Sequence, residues 1–72
     1  MALFEPLTQR SLTLSNRIVV SPMCQYSSEE GMPNDWHVVH LGSRAIGGSA
    51  LVFTEGTAVL EDGRITAWDA GI

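Results

Sequence analysis

The sequence predicts an α/β chain, a small β-hairpin followed by one βαβ unit, and three observations carry that expectation. Two all-apolar runs, Ile18-Val19-Val20 and Ala50-Leu51-Val52-Phe53, show no polar alternation, the pattern of strands buried on both faces of a parallel sheet. Between them lies one segment, residues 36–47, whose apolar positions recur at helical spacing. Strand, loop, helix, strand in that order joins a parallel pair by a crossover.

In chain order, Phe4, Leu7, Leu12 and Leu14 alternate with Thr8, Gln9, Arg10, Ser11 and Thr13 over residues 4–14, and this weak period of two predicts the hairpin. Ser15-Asn16 punctuates. The strand over 17–21 ends at Pro22, which has no N–H to donate to a ladder. Immediately past that break stand Met23, Cys24 and Tyr26, a thioether, a thiol and a phenol, on the kind of strand-end loop where sites are built. Residues 26–34 then turn to Ser27, Ser28, Glu29, Glu30, Gly31 and Pro33, which reads as a solvated loop with a mobile tip.

Asn34 or Asp35 caps the helix over 36–47, Asp35 also complements its dipole, and Gly47-Gly48 stops it. Trp36, Val39, Ser43 and Ile46 share one face, Val38, Leu41 and Ala45 a neighbouring one, and His37, His40 and Arg44 the remaining stripe. Trp36 and Trp68 read as packing residues. His37 and His40 have the i, i+3 spacing that can share a metal, but no third ligand stands at an interpretable distance. The stripe therefore reads as a polar face or an interface with later chain, and no metal site is assigned.

The second run continues through Thr54 to Glu55-Gly56. Parallel strands point the same way, so residues 22–26 and Glu55-Gly56 emerge at one carboxyl edge, where barrels and open α/β sheets hold their sites. Asp62-Gly63 is a turn signal, Arg64-Ile65-Thr66 reads as the start of another extended piece, and nothing after Trp68 completes an element.

Composition bounds the function. The net charge is −4, the four basic residues are dispersed arginines, and there is no lysine, so the segment has no electrostatic footprint for nucleic acid. The N-terminus lacks the basic and apolar regions of a secretory signal and no apolar run approaches a membrane span, so a cytoplasmic protein is expected. One cysteine excludes an internal disulfide. A chain of this length buries only about 60 % of its unfolded surface, so its stability is expected to come from a partner, a ligand or further chain. An eight-fold barrel needs about 250 residues, and the 72 here read as the opening part of such a protein.

The string Asn16-Arg17-Ile18-Val19-Val20-Ser21-Pro22-Met23-Cys24-Gln25-Tyr26 resembles the N-terminus of the old yellow enzyme family, flavin-dependent ene-reductases on a (β/α)8 TIM barrel. Leu3-Phe4-Glu5-Pro6-Leu7, Asn34-Asp35-Trp36-His37-Val38-Val39-His40-Leu41 and Gly63-Arg64-Ile65-Thr66 resemble its bacterial, xenobiotic-reductase-like branch. The resemblance implies that residues 1–72 are the N-terminal part of a single FMN-binding TIM-barrel domain. It implies that Ser21, Pro22, Met23 and Cys24 lie along the FMN ring, that Gly56 lets the ring approach the backbone, and that Tyr26 faces the substrate. NAD(P)H would be the reductant, activated C=C bonds such as those of enones the substrates, and the parent a homo-oligomer that engages neither nucleic acid nor membrane. No catalytic residue is assigned within these positions.

From spacing alone Cys24 is equally a small buried residue, and Tyr26 a loop aromatic sealing a barrel rim. With strand-like alternation past Pro22, Cys24 and Tyr26 would point to one side. Two other readings are a tRNA-dihydrouridine synthase-like flavin barrel and a small non-catalytic module complete in 72 residues.

Overall fold

The computed structural model describes residues 2–72. A 3-10 turn over Ala2–Phe4 leads into the expected hairpin, in which β1 (Leu7–Gln9) and β2 (Leu12–Leu14) pair antiparallel with Leu7 opposite Leu14 and Gln9 opposite Leu12. Its two-residue loop holds Arg10 at φ 55, the left-handed backbone that tight hairpin turns ask of their first central residue.

The βαβ unit is present, with shorter strands than the apolar runs suggest. β3 (Val19–Val20) and β4 (Leu51–Val52) pair in parallel, Val19 beside Leu51 and Val20 beside Val52. Flanking bonds from the Ala50 N–H to the Ile18 carbonyl and from the Phe53 N–H to the Val20 carbonyl, each 3.0 Å, extend the ladder slightly at both ends. Burial on both faces is not realised: Val19 and Leu51 are exposed while Ile18 and Val20 are half-buried.

The crossover helix α1 (Asp35–Ile46) begins where its cap residues say it should. Asn34 Oδ1 accepts the Trp36 N–H at 3.0 Å, and His37 at the third helical position reaches back to the Asn34 N–H, so a histidine fills the place that glutamate or glutamine takes in a capping box. At the other end Gly47 donates to Ser43 and Gly48 takes φ 103, a left-handed exit open to glycine. Asn16 then ties helix to sheet, its Nδ2 donating to the Gly48 carbonyl at 2.8 Å and its Oδ1 accepting the Ile18 N–H at 2.9 Å.

The face that α1 buries is the histidine stripe. His37 and His40 are its buried residues, whereas Val38 and Ile46 are 73 % and 90 % exposed. The apolar faces that periodicity selects therefore point away from this sheet, because the stripe toward it must meet the polar residues Ser28 and Glu55.

Two expectations for the second half are corrected, and the loop over residues 26–34 gains a defined turn. A parallel pair, β5 (Thr57–Ala58) with β6 (Ala70–Gly71), completes an element after Trp68. Arg64 is extended (φ −71, ψ 134), but the extended piece stops there: the Asp69 carboxylate accepts the Ile65 and Thr66 N–H groups at 2.8 and 3.0 Å and the Thr66 hydroxyl at 2.7 Å, folding residues 65–66 into a bend. The glutamate loop is also a defined turn. Glu29 and Met32 bond in both directions around Glu30 (φ 50) and Gly31 (φ 81), the two positive φ values of a type I′ hairpin, and the Gly31 carbonyl accepts the Gly71 N–H at 2.9 Å. The turn expected at Asp62-Gly63 is a 3-10 turn over Glu61–Gly63.

Among the described residues no apolar side chain is fully buried; the buried polar ones are Ser28, His37, His40 and Asp69. The radius of gyration is 14.7 Å, against about 11 Å for a compact domain of this length. The accessible surface is 5448 Å², against about 4,400 Å² for a globular protein of this mass. The molecule is an open slab, 43 × 25 × 15 Å, with its polar interactions inside and much of its apolar surface outside. No helix among the described residues is long and apolar enough to cross a membrane.

Candidate functional site at the carboxyl edge of the parallel pair

β3 ends at Val20, one residue before the expected Ser21, and the residues from Ser21 through Pro22 onward lie open at the carboxyl edge. Ser21, Pro22, Met23, Cys24 and Tyr26 are all exposed, so the reading of Cys24 as a small buried residue does not hold within this chain. Among the described residues the N–H groups of Met23 and Cys24 donate to no protein acceptor. Because β3 and β4 run parallel, residues 21–26 and Gly56 leave the ladder at the same end. A Cβ built on Gly56 would meet nothing within 4 Å, so the backbone there faces open space. A free thiol, a thioether, unengaged backbone donors and a bare backbone edge suit the apolar and polar rim of a planar heterocycle.

Tyr26 sits at φ 53, which breaks the strand-like alternation that would align it with Cys24. For a side chain of this size that backbone costs about 1–2 kcal/mol, so neighbouring interactions must hold it.

Behind the edge lies a buried polar cluster. His37 Nε2 is 3.3 Å from Ser28 Oγ and 3.5 Å from Glu55 Oε2, and Ser28 is fully buried. Serine, histidine and glutamate here do not form a nucleophilic triad, because both partners meet the same ring nitrogen while the Asn34 N–H occupies Nδ1. The cluster is a latch that holds the loop after Tyr26 against the end of β4. His40 packs 6.0 Å from the Trp36 ring in a stacked arrangement, and its buried Nδ1 has no partner among the described residues. The two histidines line a cleft of about 290 Å³ with Glu55, Leu41 and Ile72. Among the described residues there is no group of three or more His, Cys, Asp or Glu side chains able to hold a metal ion.

The sequence places Gln25 and Glu55 at the carboxyl edge but assigns no role to them, nor to Ser28 or Asp69. Glu55 carried a signal, a lone acid directly after an all-apolar strand, whereas Ser28 in a polar loop carried none. Asp69 is held below its ordinary carboxyl range, first by the Thr66 hydroxyl and then by the Thr66 and Ile65 N–H groups and the nearby Arg64 charge, against the opposing effect of burial.

A parallel pair that gathers a reactive strand end and a glycine at one carboxyl edge defines the α/β class in which cofactors sit on that edge. Residues 2–72 match the model of the NADH:flavin oxidoreductase / NADH oxidase family, and the chain belongs to that family. Morphinone reductase superimposes with a TM-score of 0.86 at 28 % identity, covering 99 % of this chain and 18 % of that one. A structure of morphinone reductase in complex with tetrahydroNAD matches with a TM-score of 0.86 at 28 % identity, covering 100 % of this chain and 19 % of that one. The chain thus spans about a fifth of the length of the solved chains it matches. The hairpin followed by a βαβ unit is the fold expected from the sequence, and neither the dihydrouridine synthase-like barrel nor the small-module reading is favoured by these matches.

Proposed function

We propose that these residues belong to a single FMN-binding TIM-barrel domain of an NAD(P)H-dependent ene-reductase, and that the substrates are small molecules with activated C=C bonds, such as enones. The observation that carries this reading is the shared carboxyl edge of residues 21–26 and Gly56, in a chain of the flavin oxidoreductase family. Ser21, Pro22, Met23 and Cys24 would hold one side of the flavin, Gly56 would admit the ring close to the backbone, and Tyr26 would face the substrate. FMN, when bound, supplies the hydride-transfer chemistry. This chain's residues contribute donors, a polarisable thiol and the exclusion of water from one wall. The parent is a cytoplasmic homo-oligomer that engages neither nucleic acid nor membrane.

The test is to purify the full-length protein carrying this segment, record its flavin spectrum and supply NADH or NADPH with an enone. Stoichiometric FMN and the saturated ketone as product are the expected result. Absence of flavin, or reduction of a tRNA uridine in place of the enone, overturns the reading.

A further inference from the structure

The backbone around Tyr26 is held from both sides by side chains of a single helical turn. Before Tyr26, the Trp36 indole N–H donates at 2.9 Å to Gln25 Oε1, and Gln25 Nε2 donates at 2.9 Å to the Met23 carbonyl. An indole nitrogen can only donate and a carbonyl can only accept, so the two bonds fix the amide in one orientation and make Gln25 a strut between helix and loop. After Tyr26, Asn34 Nδ2 donates at 2.6 Å to the Ser27 carbonyl, and His37 Nε2 meets Ser28 Oγ at 3.3 Å. Between these anchors Tyr26 takes φ 53, a backbone that a tyrosine keeps only under restraint.

Trp36 does little packing for so large a residue. It is 48 % exposed, one face stacks on His40, and its N–H is aimed at the loop. The part of the side chain that is committed is the donor, and a phenylalanine would keep the stack while losing it.

We propose that Trp36 is a positioning residue: acting through Gln25, it sets the left-handed backbone at Tyr26 and with it the direction in which the phenol projects from the carboxyl edge. The consequence for substrate rests on the ene-reductase reading above; the consequence for the Tyr26 backbone does not.

The experiment uses the full-length, FMN-loaded protein and the variants Trp36→Phe and Gln25→Met, which break the strut from opposite ends. Crystal structures of both variants read the Tyr26 φ directly, with or without flavin. Steady-state kinetics with an enone are run for Trp36→Phe in the native and the Tyr26→Phe backgrounds. Expected are a Tyr26 that leaves the left-handed region, flavin content as in the parent, and a fall in kcat/KM of about fivefold, the worth of one hydrogen bond. In the Tyr26→Phe background the effect of Trp36→Phe shrinks below about twofold, because the two substitutions act on one group. Tyr26 kept near its native φ in both variants overturns the proposal, as does the same loss of kcat/KM in both backgrounds. A displaced Tyr26 in a protein that reduces no alkene upholds the positioning role and defeats the ene-reductase reading.

Discussion

The Asn34 N–H donates a 3.0 Å hydrogen bond to His37 Nδ1. That bond requires an unprotonated Nδ1, so the neutral ring carries its proton on Nε2, the nitrogen facing Ser28 Oγ and Glu55 Oε2. One imidazole thereby satisfies a helix N-terminus and links the loop to the end of β4. Replacing His37 with alanine is expected to destabilise the full-length protein by about 1–3 kcal/mol, through the lost cap and the buried groups left unpaired. His37→Gln keeps an acceptor at the capping position and should lose less than half as much, as read by urea denaturation of both variants.

Asp69 makes stability depend on acid. Its folded pKa lies below the ordinary value of 3.8, chiefly because of the Thr66 hydroxyl and N–H bonds, so its contribution is complete above that value. The contribution fades as pH falls from there through the depressed folded pKa, since the unfolded chain then binds the proton more readily. Asp69→Asn should flatten this acid limb, which a series of thermal unfolding curves from neutral to strongly acidic pH will show.

Two glycines should respond in opposite ways to a methyl group. Gly31 has φ 81, and its added Cβ would lie 3.4 Å from the Gly71 backbone, against which the turn is hydrogen-bonded. Gly31→Ala is expected to cost about 1–2 kcal/mol from the left-handed backbone alone. Gly56 has neither constraint, so Gly56→Ala should leave stability unchanged or raise it by up to about 1 kcal/mol. Denaturant midpoints of the two variants test the contrast directly.

Cys24 is exposed at the carboxyl edge, and its proposed part is to set the polarity beside the flavin. A Cys24→Ser variant of the FMN-loaded protein should shift the flavin midpoint potential in a redox titration while keeping the flavin bound. An unchanged potential would remove the residue from the cofactor wall.

The order hairpin, strand, helix, strand could be read from residues 4–56 because each signal is local: period-two alternation, β-branched runs, Asn34 before a helical pattern and a glycine pair after it. The proposed wall was legible for the same reason, as an apolar strand that meets Pro22 and then Met23, Cys24 and Tyr26. Which helix face packs was not legible. Periodicity favours Val38, Val39 and Ile46, yet α1 buries His37 and His40, because burial depends on what the facing strand and loop present, and these present Glu55 and Ser28. Likewise β6, and the docking of the Glu30-Gly31 turn against it, exist through bonds between distant partners, Gly71 to Gly31 and Ile72 to Ala58, which no short window contains. By itself the sequence determined the elements and the residues that gather at their carboxyl ends. Only the tertiary structure decided that Tyr26 takes a left-handed backbone and that Trp36, Asn34 and His37 hold it there, since those restraints act between residues up to eleven positions apart in the chain.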